Sequence, residues 1–293
     1  MRVPRAVVVV AVLFSANLPI ATVAQQGANL ADAPTYRNDA RGLERFMSDL
    51  LQARSQKKDD AYKQLSHSLL LPESTDWFVS TFGEDDGKKY AEQYEKTREQ
   101  VPQVLDRTLD TILKNQFKVY RAHRFEKLRD ENATPEQYPV LALRVKDVPI
   151  FDVTFRDKAQ LMEQRLWALA YVNGAFRFVG DLRSVEPTWP ETKNPTAGVA
   201  LVTPKVDESK LIHIEQAVYP AKAKTSHIEG IVRLWALIDP KGNVVRTRVQ
   251  EGHCWLAEAA AESVMKWRYT PTLVGGIPCY VIANVRVDFR LGR

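Results

Sequence analysis

Cysteine is nearly absent: Cys254 and Cys279 are the two in 293 residues. Neither sits in a C-x-x-C or Cys/His pattern, which excludes a structural zinc site and a dithiol redox motif. Histidine is equally sparse. His67, His123, His213, His227 and His253 are scattered, and no two share a helical i, i+3 or i+4 spacing with a carboxylate arranged for metal, so no metal is expected. There is no G-x-S-x-G elbow and no phosphate-cradling glycine loop, so no cofactor is expected and no catalytic residue is assigned. Long runs of one charge are missing too. Lys57-Lys58 precede Asp59-Asp60, and Lys88-Lys89 follow Asp85-Asp86, which reads as solvated helix faces. The formal charge of +5 falls to +3 once Arg2 and Arg5 are set aside with the leader, and nucleic acid is not an expected partner.

What is present is ordinary globular material, 45% apolar and 26% charged, long enough for two modest domains. Residues 1–24 carry Arg2 and Arg5, an apolar run from Ala6 to Phe14 and the small-residue site Thr22-Val23-Ala24. That is the pattern of a secretory signal peptide, which implies an exported protein; an uncleaved inner-membrane anchor is the alternative, against which Ser15, Asn17 and Pro19 interrupt the run. Residues 25–39 read as a flexible leader.

Leu43, Phe46, Met47, Leu50 and Leu51 form one helical stripe, and Tyr62, Leu65 and Leu69 a second. A third helical region spans about Glu84 to Asn115, with a break or kink at Pro102. Trp77, Phe78 and Phe82 make an aromatic segment between them. The period then changes to two. Phe117, Val119, Arg121, His123 and Phe125 alternate with polar neighbours, Leu141–Val145, Ile150–Phe155 and Glu163–Val172 are β-rich, and Asn173-Gly174 signals a type I′ hairpin. Helices followed by an antiparallel meander define an α+β domain over 40–185, its helices packed on a curved antiparallel sheet. In element order it resembles the nuclear transport factor 2 or cystatin-like superfold, which hosts enzymes and binding domains alike. His123 and Asp152, with Arg121 and Tyr171 nearby, are the one set there that could line a cone-shaped pocket, as a small-molecule-binding or hydrolytic site would require. Pro187, Pro190, Pro195 and Pro204 mark 186–210 as a semi-rigid linker.

Residues 211–293 are expected to form a smaller α+β domain. Pro220 opens a short helix, Ala221–Thr225. Gly230–Ile238 and Val244–Gln250 are strands joined by the turn Asp239-Pro240-Lys241-Gly242-Asn243, and Trp255–Trp267 is helical. Gly275-Gly276 turn the chain into a last strand with Cys279, Val281, Ala283, Val285, Val287 and Phe289 inward, and Tyr280, Ile282, Asn284, Arg286, Asp288 and Arg290 outward. A Cys254–Cys279 bridge would enclose 24 residues and contribute about 3 kcal/mol; two buried thiols are the alternative, and composition leaves both open.

Tyr219-Pro220, Ala223-Lys224, Glu229-Gly230, Asp239, Gly242, Gly252-His253, Leu256, Ala259-Ala260, Trp267-Arg268-Tyr269, Pro271, Gly276, Pro278 and the alternation to Phe289 resemble the TonB C-terminal domain over about 210–291. The resemblance implies a periplasmic module that adds an extended segment of an outer-membrane TonB-dependent transporter, or of another envelope protein, as a strand. Tyr280, Ile282, Asn284, Arg286 and Asp288 would form the receiving strand, flanked by Gln216, Tyr219 and Pro220. Pairing of edges between two copies, giving a homodimer, is the alternative use of the same surface. Ser15 is followed four residues later by Pro19, not by the His of the family's motor-binding pattern, so force transmission is not implied.

Overall fold

The computed structural model describes residues 35–126, 130–159, 162–189 and 210–292. The expected signal peptide, most of the leader and most of the linker lie outside the described residues.

The chain divides into two compact units that interleave in sequence. Among the described residues, the first takes in those up to Phe78, Tyr90–Glu126 and Val148–Leu182; the second comprises Val79–Lys89, 130–147 and those from Arg183 onward.

In the first unit, Asp39 caps α1 (Ala40–Ser55) by accepting the Gly42 N–H at 2.7 Å. The α1 stripe Leu43, Phe46, Met47, Leu50 and Leu51 is buried, as its spacing predicts. α2 (Asp59–Ser68) follows. The aromatic segment then turns out to be helical: α3 (Ser74–Phe82) buries Phe78, and α4 (Glu84–Arg98) begins two residues later. α3 leaves the first unit after Phe78 and α4 re-enters it at Tyr90. α5 (Val101–Lys114) starts beside Pro102, which occupies its first turn and so separates two helices without kinking one.

β1 (Lys118–Phe125), β2 (Ile150–Arg156), β3 (Glu163–Val172) and β4 (Ala175–Phe178) form a four-stranded antiparallel meander in chain order. Asn173 and Gly174 both have positive φ, 51° and 79°, as the type I′ turn between β3 and β4 demands. One sheet face, with Ala122, Phe151, Val153, Phe155, Leu169 and Phe176, shares a single apolar core with α1, α2 and α5.

The second unit holds α6 (Gln137–Ala142), where the sequence suggests a strand beginning at Leu141. Pro139 falls in the first turn of α6, whose N–H groups have no intrahelical acceptor, so the proline is compatible with a helix there. Of the later elements, the short helix Ala221–Thr225 and the three long strands match the sequence reading, the helix after Gly252 ends three residues earlier than expected, and four short strands were not anticipated. β5 (Leu211–His213) precedes α7 (Ala221–Thr225), β6 (Gly230–Ile238) and β7 (Val244–Glu251); α8 (Cys254–Val264), β8 (Arg268–Tyr269), β9 (Leu273–Val274), β10 (Ile277–Pro278) and β11 (Val281–Phe289) complete the chain. β11, β6 and β7 make a three-stranded antiparallel sheet in that order, and α8 packs on β6 and β7. β5 pairs with β8, and β9 with β10.

A candidate binding edge

β6 has a partner on each side, whereas β11 lies at the end of the sheet order. All nine residues of β11 pair with β6 in one unbroken register, from Val281 opposite Ile238 to Phe289 opposite Gly230. In an antiparallel pair, alternate residues bond to the neighbour and the rest point their N–H and C=O groups away from it. Among the described residues no other strand pairs with β11. It therefore presents a row of outward backbone donors and acceptors along about nine residues.

One face of this sheet buries Val232, Leu234, Ala236, Val281, Ala283, Val285 and Phe289, together with Leu256, Ala260 and Val264 of α8. On the opposite face the expected outward alternation is only half right. Ile282 is 6% exposed and Leu237 fully buried, because Trp189 lies against both, with Trp235 and Tyr280 packed alongside. Ile282 is thus a core residue of a second, smaller apolar cluster. Towards the other end this face becomes polar: Asn284 accepts from the Gln250 side-chain amide. Arg233 and Arg286, cross-strand partners, are neutralised by Glu251 and Asp288 respectively. Two arginines facing one another would repel; the two carboxylates remove that cost.

Gln216 is exposed, next to Glu215, whose backbone carbonyl accepts from Ser263 at 2.6 Å and from the Trp267 indole at 2.9 Å. Those two bonds fix the approach of the segment. The Tyr219 hydroxyl donates to the Ile228 carbonyl at 2.8 Å, and its ring meets Phe289 edge-on at 5.4 Å. Tyr219 is accordingly brought to the end of β11. Pro220 is the residue before the first turn of α7, with extended backbone.

His253 caps α8. Its Nδ1 accepts the Trp255 N–H at 3.3 Å, and burial depresses its basicity against the opposing pull of Glu131. Cys254 and Cys279 are separate buried thiols in this structure, not a bridge. Burial raises the Cys254 thiol above its ordinary range, and the Cys279 thiol donates to the Thr272 carbonyl at 3.4 Å.

Sequence reasoning missed the parts of the chain that complete this unit. Arg248 pairs with Asp86 at 2.9 Å; the Ser184 hydroxyl donates to the Gln250 carbonyl at 2.6 Å; the Gly252 N–H donates to the Pro135 carbonyl at 3.0 Å. Lys222 pairs with Glu131 and lies over the Trp255 ring, 4.2 Å from its centroid. The one available signal was Trp189, a large aromatic in a proline-rich stretch.

Of the pocket residues of the alternative reading, His123 and Asp152 meet as cross-strand partners, whereas Tyr171 lies on the other face of the sheet. A β-bulge between Val119 and Arg121 resets the alternation of β1, so Val119 and Ala122 face the helices while His123 faces away. Asp152, opposite His123, is buried beside Arg165 at 3.5 Å. Tyr171 packs on the helix side and donates to the Tyr36 carbonyl at 2.7 Å. Arg121 is exposed. Where a cone-shaped cavity was expected, Phe46, Phe151, Phe155 and Phe176 fill the space. Among the described residues no cluster of His, Cys, Asp and Glu could hold a metal ion, and no helix is long and apolar enough to cross a membrane.

The family model described as the Gram-negative bacterial TonB protein C-terminal matches residues 215–291. Protein TonB of Vibrio cholerae serotype O1 (strain ATCC 39315 / El Tor Inaba N16961) is 26% identical over 107 residues, 34% of this chain and 44% of that protein. The chain thus spans less than half the length of the curated relative it matches. Residues 215–291 form a TonB C-terminal domain within an α+β chain.

Proposed function

We propose that this TonB-type domain is a periplasmic adaptor, not a catalyst, and that it captures an extended segment of an envelope protein by adding it as a fourth strand beside β11. The segment that fits the domain type is the short box of an outer-membrane TonB-dependent transporter. One observation carries the reading: β11 is long, regularly paired on one side, and unpaired on the other among the described residues. Main-chain hydrogen bonding then supplies affinity, and side chains at alternate positions supply selectivity. Tyr280, Asn284, Arg286 and Asp288 line the rim of that edge, and Gln216, Tyr219 and Pro220 flank it. Ile282 contributes indirectly, by holding the strand against Trp189.

Amide exchange tests the reading directly. With a synthetic box peptide added, alternate amides between Tyr280 and Arg290, those not bonded to β6, gain protection. A peptide that binds without slowing them would eliminate this edge. Protection already complete before any peptide is added would mean that the rim is covered in the free protein, by another copy or by the chain itself.

A further inference from the structure

The hairpin β9–β10 is unlike the rest of the surface. Leu273, Val274 and Ile277 are 58%, 45% and 62% exposed. Gly275 and Gly276 turn the chain with φ of 58° and 82°, and no heavy atom lies within 4 Å of where a side chain would begin on either. The tip therefore projects into open space. Its root is fixed: the Cys279 N–H donates to the Thr272 carbonyl at 3.0 Å, and Cys279 itself is buried. Exposed apolar side chains on a rooted projection mark an interaction surface.

Charge selects the partner. Between Ser263 and Val287 the sequence has no Asp or Glu; Arg286 is taken up by Asp288, which leaves Lys266 and Arg268. At the hairpin's root the Thr270 N–H donates to the Lys210 carbonyl at 2.7 Å, and the Tyr269 N–H to the Gly242 carbonyl at 2.8 Å, which gathers Lys210, Lys241 and Arg268 near β8. Asp239 and Glu215 make contacts here among the described residues. The Asp239 carboxylate is engaged by the backbone N–H groups of Lys241 and Asn243 and by the Asn243 amide. Glu215 lies 3.4 Å from Lys266 and 4.0 Å from His213. Positive charge is left in excess. A second copy docking hairpin to hairpin would set that excess against itself, whereas an anionic lipid surface complements it and solvates the apolar tip.

We propose that the β9–β10 hairpin inserts Leu273, Val274 and Ile277 among the headgroups of an anionic bilayer, with Lys210, Lys241 and Arg268 meeting the lipid phosphates. This contact does not depend on strand addition at β11.

The test places an environment-sensitive fluorophore at Val274→Cys in the full chain, where the buried thiols Cys254 and Cys279 are out of reach of the label. With vesicles of phosphatidylcholine containing about a third phosphatidylglycerol, emission shifts to the blue and brominated acyl chains quench it; phosphatidylcholine alone or high salt reduces the response about tenfold. Lys241→Glu with Arg268→Glu reduces it to a similar degree, with the folded state verified by circular dichroism. No shift on the anionic vesicles, or a shift indifferent to phosphatidylglycerol, overturns the proposal. So does a shift that grows with protein concentration in the absence of lipid, which would assign the hairpin to contact between copies. Box-peptide affinity, measured on the same charge-reversed protein, is expected to be unchanged.

Discussion

Single residues in the C-terminal unit are constrained by backbone as much as by side chain. Gly242 has φ of 86°, and a Cβ there would run into the Tyr269 carbonyl oxygen. Gly242→Ala therefore meets both a left-handed backbone and a backbone obstacle that cannot rotate away. It is expected to lower stability by about 2–4 kcal/mol, read as a shift in urea midpoint at constant slope. His253 behaves differently, through protonation. Burial holds its basicity below the ordinary 6.5, so the unfolded chain takes up the proton first. Stability is complete above that value and declines as pH falls below it, because burial disfavours the charged ring, which also can no longer accept the Trp255 N–H. Asparagine caps helices without titrating. His253→Asn is expected to flatten the loss in melting temperature between roughly pH 7.5 and 5.5, the window in which histidine charges, and an unchanged slope would assign that loss elsewhere. Asp239 does not enter this window. Burial opposes its ionisation, but hydrogen bonds from Asn243 and Lys241 override it and hold its carboxyl below the ordinary 3.8.

Elements were legible in the sequence where one periodicity and its punctuation agreed. The α1 stripe, the Asn173-Gly174 hairpin, α7 behind Pro220, and the β6, β7 and β11 strands follow from apolar spacing and turn residues alone, and the structure places them where that spacing puts them. α3 and α6 were not legible. Trp77 and Phe78 in α3, and Tyr138 and Val140 in α6, have side chains that favour strands, and Phe78, Tyr138 and Val140 are buried in helices nonetheless, as tertiary context overrides propensity. The β1 bulge is invisible to alternation, and it sends His123 to the far side of the sheet from Tyr171. Trp189 was equally hidden, because a sheet face becomes apolar or polar according to what covers it. Trp189→Ala is expected to expose Leu237 and Ile282 and cost about 3 kcal/mol, near the lower end for a buried aromatic at a cluster of three. Denaturant melts measure it, and loss of β11 amide protection at the Ile282 end should accompany it.

For the molecule as a whole, the consequence of interleaving is that the TonB-type domain does not end where its sequence match begins. Its unit includes Val79–Lys89 and 130–147, segments drawn from within the preceding α+β region. They supply Asp86 to Arg248, the Pro135 carbonyl to the Gly252 N–H, and Glu131 to Lys222. Arg248 and Asp86 are mostly withdrawn from solvent, with side chains 20% and 11% exposed. Losing one partner leaves a desolvated charge worth about 1–3 kcal/mol, while an exposed pair such as Lys222–Glu131 is screened by solvent and adds little. A fragment starting near Lys210 retains β5 to β11 yet forfeits all three contacts and the Trp189 cover. It should fold, since its own sheet and α8 persist, but melt well below the corresponding unit of the full chain, with the Gly252 amide exchanging fast. In the fragment Arg248 is free to reach water, so Arg248→Met is expected to be nearly neutral there, whereas the same substitution in the full chain destabilises by stranding Asp86. Equal effects of Arg248→Met in both contexts would show that the Asp86 pairing adds nothing to the cohesion of the unit.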